Sequence, residues 1–392
     1  RFVRRNPARA SALALALAAC AEEQQPEIVS VDGPAPTDAI PALQGGEGWT
    51  ESADGWIWTV AADLGEKLGG CLLADVEPDL PGDEIVVVGE SGRVWRTHFG
   101  PDGWDTKLLA TLPGEAVQLA AGDIDPARPG DELLTVGMAA GPEADAGPGA
   151  AHVLFRGEAG WEVREVLAAP ALLHAAAAAD LDPERPGLEL LISGFTEEAV
   201  VLALGADGWD TLATIGLPGP GKNAVAHGEG VAIACSDGSV VQVRRDDDGS
   251  WSMRAVAQRD GGAARLASDD ENLLVARDDG SLELVGLNTG RIVHRETERL
   301  RGAVLANLDP TSRGLEYASA GYEGRVVVST DDGDGRRSTQ VVYEDGQKLH
   351  HLTSGPVWSV ASGSLLVTCG YSGRLVVIGK RLEPAPAAGD GG

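Results

Sequence analysis

Apolar residues come in short runs along this chain, bounded by Gly, Asp and Pro, and few stretches repeat at helical period. That pattern predicts short β-strands joined by tight turns. Four segments superimpose on one another: ADVEPDLPGDEIVVVG (74–89), GDIDPARPGDELLTVG (122–137), ADLDPERPGLELLISG (179–194) and ANLDPTSRGLEYASAG (306–321). Each ends one strand, turns through an acidic Pro/Gly loop and opens a second. A third strand tends to follow a tight turn, as in SGRVWRTHF (91–99), DGSVVQVRR (237–245), DGSLELVGL (279–287), EGRVVVST (323–330) and SGRLVVIGK (372–380). A fourth often opens on Gly-Trp or Ser-Trp, as in GWDTKLLATL (103–112), GWEVREVLAA (160–169), GWDTLATIGL (208–217) and SWSMRAVAQ (250–258).

The unit is therefore four antiparallel strands. First strands are expected to begin near Cys71, Ala116, Leu172, Asn223, Ala263, Gly302 and Gly355, about 39 to 56 residues apart, which suits propeller blades. The expected fold is all-β, a seven-bladed β-propeller of four-stranded antiparallel blades over residues 48–382. Units four, five and seven lack the acidic loop. The seventh holds only three strands before LEPAPAAGDGG, so residues 54–64, which open on Asp54-Gly55-Trp56, are expected to complete the last blade and remove an open sheet edge. First strands are rich in small residues, notably His174 to Asp180, as strands near an axis require. Ile85 to Val88 is apolar on both faces, as expected between neighbouring blades.

Ahead of this body, Arg1 to Arg9 is basic and residues 10–19 are small and apolar. This reads as a secretory signal over 1–19, too short to span a bilayer. Leu17-Ala18-Ala19-Cys20 resembles the lipobox of bacterial lipoproteins, a resemblance that implies lipidation of Cys20. Residues 20–47 then form the lipidated Cys and a Pro/Gly-rich polar tether. The tail, 383–392, is expected to be disordered. The expected location is the cell envelope, lipid-anchored, with Ala21 after the Cys resembling an outer-membrane address.

A 43% apolar content allows a sizeable core, and the formal net charge of −29 argues against a nucleic-acid partner. The remaining cysteines, Cys71, Cys235 and Cys369, match neither metal-site spacing nor a dense disulfide framework; whether any two pair is left open by the sequence.

The acidic loops resemble those of FG-GAP or VCBS repeats, the family that includes the integrin α-chain propeller. There such loops bind calcium through carboxylate oxygens. The resemblance makes Asp75, Glu77, Glu84, Asp123, Asp125, Glu132, Asp180, Asp182, Glu189, Asn307, Asp309 and Glu316 the candidate calcium ligands. The family's third Asp is kept only at Asp79; Ala127, Glu184 and Thr311 replace it, and Pro follows the second acid each time. The alternative role is structural, with Pro stiffening the turn and the Glu accepting from loop amides. Asp279-Gly280-Ser281-Leu282 and Asn288-Thr289-Gly290 resemble quinoprotein-like and WD40-like blades locally, and imply no redox cofactor.

No catalytic motif stands out. His98, His152, His174, His227, His294, His350 and His351 are scattered, and His174 and His227 fall on first strands. His350-His351 is read as an exposed pair in a polar crossover, 346–354, into the last blade. Together with the insertion at 139–150, that crossover is a candidate partner-binding loop. The Trp residues that open fourth strands are read as blade packing. The function expected is a non-enzymatic, membrane-anchored scaffold binding a protein or glycan. The alternatives are a polysaccharide lyase or hydrolase with an axial site, and a calcium-stabilised adhesion module.

Overall fold

The computed structural model describes residues 48–140, 147–269, 271–286, 290–309, 312, 314–331, 337–357 and 364–381. The signal segment, Cys20, the tether to residue 47, the tail, residues 141–146 of the insertion, Asn288-Thr289 and Thr311 lie outside the described residues. Within them the chain forms seven antiparallel sheets, six of four strands and one of five, with a single 3-10 turn at Ala53–Gly55. The inner strands are Leu68–Ala74, Glu115–Gly122, Leu173–Ala179, Gly221–His227, Ala263–Ser268, Leu300–Ala306 and Leu349–Gly355. Each contacts the next, and the seventh contacts the first, so the ring is closed.

The core lies between blades. In the second strand of blade one, Glu84–Gly89, Ile85 and Val87 pack toward blade seven while Val86 and Val88 pack toward blade two. Alternate side chains serve opposite interfaces, which is why the run is apolar without a break. All four are fully buried, each worth about 1.5–3 kcal/mol relative to exposure. The Trp residues that open outer strands pack at these interfaces as expected: Trp104, Trp161, Trp209 and Trp251 are half-buried against the clusters and Trp56 is buried.

Trp56–Asp63 is the outer strand of blade seven, running from Trp56 opposite Lys380 to Asp63 opposite Arg374. Its register confirms that role. In blades one to six the outer strand skips one residue against its neighbour: Leu109, Val166, Leu212, Val256, Val293 and Val342. Trp56–Asp63 skips Ala61 in the same way. A two-residue strand, Thr50–Glu51, adds a fifth member at this edge, which the sequence pattern did not reveal.

One expectation fails. The seventh inner strand is Leu349–Gly355, not a strand beginning at Gly355. The supposed crossover is therefore mostly the strand itself, and His350-His351 sits half-buried on it rather than exposed in a loop. The cause is physical: an inner strand faces the axis rather than a hydrophobic neighbour, so His-His-Leu-Thr-Ser needs only Leu349 and Leu352 buried.

Candidate functional site at the axial mouth

All seven inner strands share one direction, so their starts gather at one end of the axis. There each strand carries a bulge at its second or third residue. The residues skipped are Gly69, Val117, His174, Lys222, Ala264, Arg301 and His350. A bulge re-aims a side chain and frees a backbone carbonyl from the ladder. Both consequences are visible. His174 Nδ1 lies 2.8 Å from the Lys222 carbonyl oxygen in the next blade, and His350 Nδ1 lies 2.8 Å from that of Gly69 across the ring closure. Gly69 cannot carry a side chain, because a Cβ there would stand 2.7 Å from the Ala116 carbonyl oxygen.

The turns between second and third strands reach the same end and supply aromatic rings. Lys222 Nζ sits 4.0 Å from the centre of the Phe195 ring, and Lys348 Nζ sits 4.5 Å from that of Tyr322. The Arg301 guanidinium lies 4.9 Å over Tyr322, and Lys67 Nζ 4.2 Å over Tyr371. Arg265 occupies the axis itself at 3% exposure. Its Nη1 donates to the Ala264 carbonyl at 2.8 Å. With the Gln118 amide oxygen turned toward it, Nη2 and Nε donate there at 2.7 and 2.9 Å. Past Arg265 a cavity of about 320 Å³ runs along the inner strands, lined mainly by small residues such as Ala120, Ala176 and Gly302.

This end carries carboxylates as well as cations, among them Glu66, which holds Arg93, Asp279, which meets Arg259, and Asp345, which holds Arg374. Arg301 holds Asp278 at 2.6 Å, Lys67 holds Glu90, and Glu115 starts the inner strand of blade two. Among the described residues, no carboxylate forms an ion pair with Arg265, Lys222 or Lys348. Burial, then the Arg301 charge, brings Arg265 down to about 9. Burial, Arg301 and Arg265 lower Lys222, against a partial offset from Asp278. Burial and the Arg265 charge press His350 and His351 each down to about 3, and His174 well below its ordinary value. These histidines are neutral at pH 7. Burial would raise the Tyr322 phenol, but Arg301, Tyr371 and Arg265 outweigh it and leave it below its usual value.

The opposite end carries the acidic loops. In each, the Glu that opens the second strand accepts two backbone amides through one oxygen. Glu84 takes Val76 and Glu77 at 3.1 and 3.0 Å, and Glu132 takes Ile124 and Asp125 at 3.0 and 2.8 Å. Glu189 takes Leu181 and Asp182 at 2.8 and 2.9 Å, and Glu316 takes Leu308 and Asp309 at 2.8 and 3.2 Å. Burial raises Glu84 and Glu132 to about 7 despite those amides. The second acid of each loop meets a cation: Glu77 meets Arg96 and Lys107, Asp125 Arg128, Asp182 Arg245, and Asp309 Lys380. The first positions, Asp123, Asp180 and Asn307, are exposed, and Asp75 is half-buried, its amide donating to Asp131 at 3.2 Å. Among the described residues, no group of three or more His, Cys, Asp or Glu is arranged to hold a metal ion.

The axial cluster escaped sequence reading, although His174 and His227 were placed on inner strands. Its members lie some 40 residues apart and share no motif. The signal was positional: a cation or His one residue past the first apolar residue of an inner strand, as in Leu173-His174, Leu300-Arg301 and Leu349-His350. Of the other histidines, His227 Nδ1 meets Ser268 Oγ at 3.0 Å, and His294 sits buried between Ser319 and Ser329. His98 and His152 are buried in third strands.

No protein-family model matches the chain, and no curated protein matches it. Solved propellers do. The WD40 β-propeller domain of Doa1 superimposes with a TM-score of 0.57 at 12% identity, covering 82% of this chain and 96% of that one. BBS1N, solved in complex with ARL6DN, superimposes with a TM-score of 0.62 at 12% identity, covering 86% and 98%. The likeness is one of fold.

Proposed function

We propose that this protein is an exported, lipid-anchored, non-enzymatic scaffold that binds a protein partner on the face carrying the axial mouth. The observation that carries this reading is the pair of ammonium groups, Lys222 and Lys348, resting on aromatic rings without carboxylate partners among the described residues, at one end of a chain whose net charge is −29. Phe195 adds a large apolar side chain at 42% exposure in the same place. Aromatic rings and Arg are what protein interfaces concentrate, and Phe195, Tyr322, Tyr371 and Arg301 supply them here. BBS1N, a propeller of the same fold, was solved with a protein partner. The four acidic loops support a kinship with FG-GAP or VCBS repeats, in which the Glu has become a clasp for backbone amides.

Anchoring rests on the basic and apolar segment that ends at Cys20. One pair of experiments tests both parts. A photo-crosslinking residue at position 195 in the intact lipoprotein is expected to trap a discrete envelope protein, and Cys20→Ser to release the chain from the membrane fraction. A crosslinker at Glu162, on the outer strand of blade two, trapping the same protein as efficiently would refute the choice of face.

A second reading has its own support. Tyr322, its phenol lowered beside Arg301, lies 4.5 Å under the Lys348 ammonium, and the two resemble a base beside a carboxylate-neutralising cation, as a lyase for acidic polysaccharide needs. Incubation with oligogalacturonate and absorbance at the wavelength of unsaturated uronate distinguishes it from the scaffold.

A further inference from the structure

We infer that the axial mouth is the docking site for an acidic segment of the partner protein, its carboxylates meeting Lys222 and Lys348. The inference rests on the protein-binding reading above and specifies its chemistry. Arg265 is 3% exposed and its guanidinium is surrounded by neutral acceptors. A buried charge without a counter-charge is costly, and the usual remedies are pairing or neutralisation. Neither is at hand: Asp278 is already held by Arg301, and a pKa near 9 still leaves Arg265 charged at pH 7. Lys222 and Lys348 repeat the pattern at the rim, each ammonium resting on a ring face and neither meeting a carboxylate among the described residues. Arg265 is therefore a fixed buried charge at the base of the mouth, and the Lys222 and Lys348 ammonium groups are, among the described residues, the unpaired cations its rim presents.

The form of the mouth favours a peptide over a free ion. The Arg265 guanidinium is hydrogen-bonded, so no convergent donor set encloses a small oxyanion. What reaches solvent is a spread of ammonium groups around the exposed Phe195 ring and the half-buried Tyr322 and Tyr371 rings. An extended chain with Glu or Asp on one side and an apolar residue against Phe195 matches that spread.

The probe is a fluorescein-labelled, Glu-rich ten-residue peptide with one central Leu, titrated against the full chain by anisotropy at low salt. Binding is expected, weakening as salt rises. The double substitution Lys222→Gln with Lys348→Gln should weaken it by about tenfold or more. Lys222→Arg with Lys348→Arg should retain it, which separates charge from fold. Arg164→Gln, at an exposed pair with Glu162 on the outer strand of blade two, should leave it unchanged. A Gln-for-Glu peptide should not bind. The inference is overturned if the Lys-to-Gln pair binds the peptide as the parent does, or if the parent does not bind it at all. It is also overturned if oligogalacturonate displaces the peptide and binds more tightly, which would give the mouth to a glycan, or if inorganic phosphate does so, which would make it a small-ion site. The two readings fail separately. A partner still trapped from position 195 when the Lys-to-Gln pair has no effect leaves protein binding standing and removes the carboxylate docking.

Discussion

Ile57 is the best place to test whether the ring depends on its non-covalent closure. It is fully buried in the closing strand and packs in one cluster with Leu68, Val367, Leu375 and Val377 of blades one and seven. Ile57→Ala removes three carbons, worth about 0.8 kcal/mol each in transfer alone. With a residual cavity the total should be about 3–4 kcal/mol, inside the range of about 2–5 kcal/mol for buried Ile-to-Ala changes. Because the loss falls on the seam, it should first appear as local opening there. Hydrogen exchange of amides in Arg374–Lys380 should accelerate on the order of a hundredfold, since each 1.4 kcal/mol is about tenfold. Leu282→Ala in blade five is the control, equally buried but away from the seam. It should lower overall stability without singling out 374–380. If both substitutions gave the same exchange pattern, the seam would not be the point of first opening and the closure argument would fail.

Three further outcomes are expected from the bonding and burial of single residues. Glu189→Ala leaves the Leu181 and Asp182 amides without their acceptor and should cost about 2–4 kcal/mol, read by urea denaturation; melting in calcium against chelator tests the loops as calcium sites, and an upward shift with calcium would assign them one. His351, held at about 3 when folded, takes up a proton on unfolding below its ordinary 6.5, so its contribution is complete above pH 6.5 and is lost as pH falls toward 3; Glu84, Glu132 and Glu296, raised to about 7, act in the opposite sense, losing theirs as pH rises from about 4.5 through 7. His351→Gln should therefore lose about 1–2 kcal/mol less than the parent between pH 7 and 5, and an identical pH slope would contradict the desolvated neutral imidazole. Cys71, Cys235 and Cys369 are fully buried, with Cys235 raised to about 11 by burial, so in a Cys20→Ser background they should resist alkylation when native and react in urea, whereas rapid native labelling of any one would be inconsistent with that packing.

The fold was legible because its blades repeat. Glu-opened second strands and Trp-opened outer strands recur at intervals fixed by sheet geometry, and the need to avoid an open edge placed residues 54–64 correctly. Strands facing water were harder. Leu349–Gly355 buries two leucines only, so its pattern looked like a loop. The same weakness hid the mouth, for Lys222, Arg265, Arg301 and His350 converge only once seven strand starts are drawn to a single centre. Sequence could name the acids as one group because they lie within a few residues of each other; it could not see that Arg96, Arg245 and Lys380 reach them from other strands.

The repeated bulge has an evolutionary consequence. A residue that the ladder skips is released from the pairing rules that constrain its neighbours, so it is free to vary while the sheet stays the same. Apart from Gly69 and the buried Ala264, every blade offers one such interchangeable slot, and Val117 holds an apolar residue today. A family of descendants could change what it recognises by spelling different words in five letters around one circle, and an engineer could randomise the same positions on a constant frame.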